Sequence, residues 1–167
     1  GRILVAWFSD RGGNNDIYIS STSNGSTWLA PIRITTSAEG DFYPNLIQDN
    51  AGVFHLTWFR WSALYVGHIM YNSSNDGINW IEANEDTVTL TPDVDDWTPT
   101  ITATPGDSLL IVFASVKRNM PDSTSAIYLS RRPAGSPNWE AAVSIPGLTS
   151  SSDHINLPFI ARAGGSY

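Results

Sequence analysis

The sequence predicts an all-β fold assembled by repetition. Three observations predict it. A pattern of short apolar strands recurs three times along the 167 residues, and each copy carries a Gly-containing turn followed by Trp. The 13 Gly and 10 Pro punctuate the chain at short intervals. No segment keeps an apolar period of about 3.6 residues with caps at its ends, so helix finds almost no support.

The first copy reads Leu4-Val5-Ala6-Trp7-Phe8-Ser9, then Asp16-Ile17-Tyr18-Ile19-Ser20, then Gly25-Ser26-Thr27-Trp28. The second reads Leu56-Thr57-Trp58-Phe59, His68-Ile69-Met70-Tyr71-Asn72 and Gly77-Ile78-Asn79-Trp80. The third reads Leu110-Ile111-Val112-Phe113-Ala114, Ala126-Ile127-Tyr128-Leu129-Ser130, Gly135 and Trp139. The turn tryptophans lie 52 and 59 residues apart, near the roughly 40–50 residues of a propeller blade once loops are allowed for. A further strand precedes each core: Tyr43-Pro44-Asn45-Leu46-Ile47, Thr98-Pro99-Thr100-Ile101-Thr102 and Leu157-Pro158-Phe159-Ile160-Ala161. Pro is expected at the first residue of each, where no ladder donor is needed. Tight turns follow at Asp49-Asn50-Ala51-Gly52, Pro105-Gly106-Asp107 and Gly164-Gly165.

The unit is therefore four strands, A to D, and the fold class is an all-β β-propeller with about three four-stranded blades per chain. The blades divide as strands B, C and D over 1–40, a blade over 41–95, another over 96–153, and a closing strand A over 154–167. The chain opens on a strand B and ends on a strand A, and joining end to beginning reads as an ordinary A–turn–B hairpin. Propellers close with about four to eight blades. Two copies pairing strand 157–163 with strand 2–9 of the other are expected to complete six, as a homodimer.

With 41% hydrophobic residues the chain suits one domain with a sizeable core. A formal net charge of −7 disfavours nucleic acid and anionic membranes, both of which need a basic face. No apolar run approaches the roughly 18 residues of a transmembrane helix. With no cysteine, disulfides and thiolate-bound zinc are excluded. His55, His68 and His154 show no metal-ligand spacing, and no phosphate loop, dinucleotide fingerprint or Ser–His–Asp set is present. No cofactor is expected.

Ser21-Thr22-Ser23-Asn24-Gly25-Ser26-Thr27-Trp28 and Ser73-Ser74-Asn75-Asp76-Gly77-Ile78-Asn79-Trp80 resemble the Asp-box (BNR) repeat of sialidase-like β-propellers, Ser-x-Asp-x-Gly-x-x-Trp. Ser23 and Asn75 stand at its Asp position, and the third copy, Ser130 to Trp139, carries an extra residue. The side chain at that position is expected to accept backbone N–H groups, Gly to supply positive φ, and Trp to plug the gap between strands. The resemblance implies a structural turn on the end opposite the functional face, and a secreted or extracytoplasmic protein. It also implies where sialidase arginines would sit, one of them in Arg-Ile-Pro on a strand A. Here Phe42-Tyr43-Pro44, Trp97-Thr98-Pro99 and Asn156-Leu157-Pro158 occupy those places without arginine, and Arg33 follows Pro31-Ile32 on strand D. A carboxylate clamp needs guanidinium forks in fixed positions, so sialidase activity is not expected.

The functional face should then be built from the B–C loops, 9–15, 60–67 and 116–125, and from the D–A loops. Each B–C loop holds one arginine: Arg11, Arg60 and Arg118. The D–A loops bring Asp41, Asp95 with Asp96, and Asp153 beside His154. Arg11, Arg60, Trp61, Tyr65, Asp96, Trp97 and Arg118 are the candidate binding residues. The aromatics would offer stacking platforms for a glycan or small polar ligand, and the charges would meet its hydroxyls. Solvated loop charges, or Arg–Asp pairs stitching neighbouring blades, would account for the same residues. Asp41 and Asp96 share a repeat position, which fits a structural role.

Function is accordingly read as a non-catalytic binding propeller recognising a glycan or another surface partner. The alternatives are a sialidase-like glycoside hydrolase, with Asp10 or Asp16 paired to Asp96, and an excised fragment without a function of its own.

Overall fold

A computed structural model of the chain describes residues 1–62, 66–89, 94–117, 125–150 and 157–162. They form three antiparallel sheets in chain order and, among the described residues, no α-helix. The first sheet is β1 (Ile3–Ser9), β2 (Asp16–Thr22) and β3 (Ile32–Arg33). The second is β4 (Gly40–Gln48), β5 (Phe54–Trp61), β6 (Gly67–Ser74) and β7 (Asp86–Thr87), with a 3-10 turn at Glu82–Asn84. The third is β8 (Val94–Ala103), β9 (Leu109–Lys117), β10 (Ser125–Arg132) and β11 (Val143–Ser150). Within each sheet, sequence neighbours are spatial neighbours, as short hairpin connections require.

Strand alternation sends successive side chains to opposite faces, and both faces of the middle sheet are apolar. Leu56, Trp58 and Met70 meet Ile17, Ile19 and Ile34 of the first sheet in one core cluster. Ile69 and Tyr71 meet Ile101, Ile111 and Phe113 of the third in another. The turn tryptophans serve these joints. Trp80, following β6, packs on the cluster shared with the first sheet, and Trp139, following β10, packs on the cluster shared with the second. Trp28, following β2, is 43% exposed.

The two Gly–Trp turns, 21–28 and 73–80, form as side-chain-capped turns, with a correction to their chemistry. The backbone N–H groups of Ser26 and Thr27 donate to Asn24 Oδ1, both at 2.9 Å. Those of Ile78 and Asn79 donate to Asp76 Oδ1 at 2.9 and 2.8 Å. A hydroxyl two residues earlier, Thr22 or Ser74, accepts from the N–H of Gly25 or Gly77. The acceptors are thus Asn24 and Asp76, next to the glycine, and not Ser23 and Asn75. Their side chains close an Asx turn two and three residues ahead, which the residue before them is one position too early to span. Gly25 and Gly77 take φ of 75° and 69°. Four donors converge on Asp76, led by the Asn79 and Ile78 amides, and hold its carboxyl well below the usual range.

Pro is also placed differently from expectation. β4 and β8 begin three and four residues further back than Tyr43-Pro44 and Thr98-Pro99 suggest, and Pro sits at an interruption within each strand. The register shifts between Phe42 and Asn45 in one and between Trp97 and Thr100 in the other. Tyr43 and Thr98 turn to φ of 52° and 47°, and Leu157 before Pro158 repeats this at 56°. A bulge leaves residues outside the ladder, so a proline without N–H is accommodated there. Residues 157–162 join no ladder among the described residues, and Ile160 N–H donates to Thr100 Oγ1 at 3.1 Å. The equivalent bond one sheet earlier runs from Ile101 N–H to Asn45 Oδ1 at 2.9 Å.

Candidate functional site

The bulges bring the three innermost segments to one place. Tyr43-Pro44-Asn45, Thr98-Pro99-Thr100 and Leu157-Pro158-Phe159 line a single cavity of about 290 Å³. Next to it an aromatic run passes across the sheets. Phe8 meets Phe42 and Tyr43 edge-on at 5.4 and 5.7 Å, and Phe42 lies 6.0 Å from Phe59. Phe59 stacks on Trp97 at 5.1 Å, and Trp61 stands edge-on to Trp97 at 5.0 Å. Phe8 and Tyr43 are 40% and 47% exposed, and Trp61 and Trp97 are half-buried.

Of the seven expected binding residues, Trp61, Asp96 and Trp97 lie in this region. Arg60, Asp96 and Trp97 are strand residues and not loop residues, because pairing continues through Asp41 with Arg60 and Asp96 with Ser115. Arg60 does not face a ligand. Its Nε and Nη2 donate to the two oxygens of Asp41 at 2.7 and 2.9 Å, and its Nη1 lies 2.9 Å from Glu85. Trp58 Nε1 adds a bond to Asp41 at 2.9 Å. Burial works against the Arg60 charge, but Asp41 and Glu85 overcome it and hold the guanidinium firmly protonated. Burial pushes the Asp41 carboxyl up while the Arg60 fork pulls it back.

Arg11 points elsewhere. Its guanidinium lies over Tyr18 at 4.5 Å and Trp7 at 5.6 Å, rings of the first sheet's outer face. Arg11 and Arg60 therefore do not share one rim: β5 continues through Arg60, whose fork fits the Asp41 carboxylate, and the Trp7–Tyr18 pair offers Arg11 a cation–π surface. Tyr65 and Arg118, like Asp153 and His154, lie outside the described residues.

Sequence reasoning missed the latch that Asp41 and Asp96 build. Ile17 N–H donates to Thr35 Oγ1 at 3.0 Å, and Thr35 donates onward to Asp41. Ile69 N–H donates to Thr89 Oγ1, also at 3.0 Å, and Thr89 donates to Asp96. Each chain ties the outer part of one sheet to the inner strand of the next. The recurrence of Thr six or seven residues before Asp was the available signal. The two latches differ in charge. Ser115 stands opposite Asp96 where Arg60 stands opposite Asp41. Burial therefore pushes the Asp96 carboxyl up to about 6, against hydrogen bonds from Ser115 and Thr89 and the weaker pull of His68, with neighbouring Asp95 adding to the rise. Asp16 is likewise engaged, 2.7 Å from Arg33 Nη2 and fully buried. Among the described residues no group of three His, Asp or Glu is placed to hold a metal ion.

No family profile matches the sequence, and no curated protein matches it. Solved structures do. An α-L-arabinanase of Penicillium chrysogenum complexed with arabinobiose superposes with a TM-score of 0.68 at 16% identity, over 87% of this chain and 44% of that one. A Hadza microbial sialidase gives 0.65 at 12% identity, over 83% and 34%. A β-fructofuranosidase of Bombyx mori gives 0.63 at 17% identity, over 92% and 34%. The chain has the all-β fold of the propellers on which sialidases and related glycoside hydrolases are built, and spans a third to under a half of their length.

Proposed function

We propose that the chain recognises carbohydrate at the aromatic surface beside the cavity of the inner strands. The observation that carries this reading is the continuous aromatic run from Phe8 to Trp97, part of it open to solvent. Aromatic faces are electron-rich and apolar, so they receive the C–H face of a sugar ring while its hydroxyls reach polar groups at the edge. The acidic chain suits a neutral glycan. The carboxylates nearest the run, Asp41 and Asp96, are buried in the latches, which favours binding over hydrolysis.

A second reading, a glycoside hydrolase, is favoured by the neighbours: the arabinanase, the sialidase and the β-fructofuranosidase all cleave glycosidic bonds. It requires two carboxylates facing one sugar, about 5–5.5 Å apart for retention or about 6.5–9.5 Å for inversion. A glycan array read beside a fluorogenic glycosidase panel tests both. Binding weakened about tenfold or more by Trp97→Ala, without turnover, is the expected result. Turnover would favour the hydrolase, and binding unchanged in both Trp97→Ala and Trp61→Ala would overturn the aromatic site.

A further inference from the structure

A second cavity opens at the joint between the second and third sheets, which border it on either side. It holds about 400 Å³, within the roughly 300–1,000 Å³ of small-molecule sites. Asp49, His55, Ser73, Asp107 and Arg132 line it, together with the turn 133–137. His55 and Trp61 stand toward opposite ends of β5, about 20 Å apart at roughly 3.3 Å per residue. The cavity is thus separate from the aromatic run between Phe8 and Trp97.

The repeat supplies an internal control. Leu4, His55 and Leu110 share one register position, opposite Ser21, Ser73 and Arg131. Ile19, Tyr71 and Leu129 share a second, and Thr22, Ser74 and Arg132 a third. The joint between the first and second sheets is built from Leu4 and Ile19, with Ser74 capping its turn. The joint between the second and third has His55, Tyr71 and Arg132 in the same three places.

The third turn differs from the others in the same way. Arg132 and Ala134 stand where Thr22 with Asn24, and Ser74 with Asp76, supply the hydroxyl and the Asx acceptor of the earlier turns. A Cβ on Gly77 would lie 2.6 Å from Leu4 Cδ2, whereas one on Gly135 would meet nothing within 4 Å. The second turn fills its joint; the third stands off and leaves the cavity. Losing two turn caps costs stability, and departures from a local rule of this kind gather where a ligand is bound.

The substituted groups form an ordered chain. His55 Nε2 lies 3.0 Å from Asp49 Oδ2, and its Nδ1 lies 2.7 Å from the Tyr71 hydroxyl. Burial opposes the charge on Asp49, yet bonds from His55 and the Val53 amide overcome it and hold the carboxyl below its ordinary value. Burial also holds the His55 imidazole below its ordinary value, with Arg132 adding to it, against the pull of Asp49. A charged Asp49 beside a neutral imidazole fixes Nε2 as the donor and Nδ1 as the acceptor for Tyr71. Arg132 lies over Tyr71 at 4.7 Å and Trp139 at 5.7 Å, and the two rings hold its planar fork at the cavity wall.

Charge selects the ligand. Asp49 and Asp107 against Arg132 leave the cavity acidic, so a free anion is repelled, while a cation would meet the guanidinium. Arg132 only donates and a carboxylate only accepts, whereas a hydroxyl does both. Asp107 Oδ1 already holds Asn50 Nδ2 at 2.8 Å, and its second oxygen is the acceptor a ligand hydroxyl would take. We propose that this cavity binds a neutral sugar, with Arg132 donating to one hydroxyl of the ring and Asp107 accepting from another.

Amide shifts of the isotope-labelled 167-residue chain, titrated with D-glucose, D-galactose and D-mannose, test the site. At least one sugar is expected to move the Ser73, Asp107 and Gly135 amides to saturation at millimolar concentration. Arg132→Ser restores the hydroxyl of the earlier turns and is expected to weaken that binding about tenfold. Asp107→Asn suits the φ of 57° and keeps an oxygen for Asn50. It is expected to weaken binding about threefold or more, and it serves as the check should Arg132→Ser not fold. No movement of these amides with any of the three sugars would overturn the site. So would saturation by sodium sulfate in their place, or affinity unchanged in the folded variants. The Phe8, Phe59 and Trp97 amides report the aromatic surface separately, so this proposal and the proposed function stand or fall apart.

Discussion

Asp41 and Asp96 occupy the same place in the repeat and accept the same threonine hydroxyl, yet they differ in what stands across the ladder. Asp41 has the Arg60 fork; Asp96 has Ser115. Its carboxyl, pushed by burial to about 6 from an ordinary 3.8, binds a proton more tightly folded than unfolded. The latch is therefore most stable below about pH 4, and its contribution is lost as pH rises through 6. The gap corresponds to roughly 3 kcal/mol. Asp96→Asn is expected to raise the unfolding free energy at pH 7.5 by about 1–3 kcal/mol. It is also expected to flatten the dependence between pH 4 and 6. Urea melts of both proteins across that range check it, and a variant less stable than the parent at pH 7.5 would contradict the assignment. The sequence disclosed the shared position of the two aspartates but not this difference. A residue's partner across a ladder is set by register, and register by bulges that no local pattern announces.

At the scale of elements, alternation was sufficient to read the strands, and the Gly–Trp spacing to read the turns. Where the reading stopped short, the cause was local. Asp95, Asp96 and Trp97 looked like loop residues because Pro99 seemed to begin the strand; the φ of 47° at Thr98 lets pairing resume on its near side. Arg60 looked like a loop cation for the related reason that β5 continues past it to Trp61. The turn tryptophans were read as plugs between strands, and for Trp80 and Trp139 the gap is the joint to the preceding sheet. Trp139 stands edge-on to Tyr71 at 5.2 Å across that joint. Trp139→Ala removes a large ring from a packed contact and is expected to lower stability by about 3 kcal/mol, with a loss below about 1 kcal/mol in chemical denaturation counting against the joint.

On the scale of the whole molecule, the described sheets communicate only with their neighbours. The first and third share no core cluster, and the middle sheet alone has apolar partners on both faces. Such an array behaves as a short row of coupled switches, each biased by the state of those beside it. Its ends lack half their bias, so opening should begin there and travel inward. In this chain, amide exchange is expected to be slowest in β5 and β6 and progressively faster toward β1 and β11. Equal protection of all three sheets would show that the row unfolds as one block. If the gradient is present, the middle sheet acts as the anchor of the row: melting starts at the outer members, and each sheet's protection counts the neighbours that brace it.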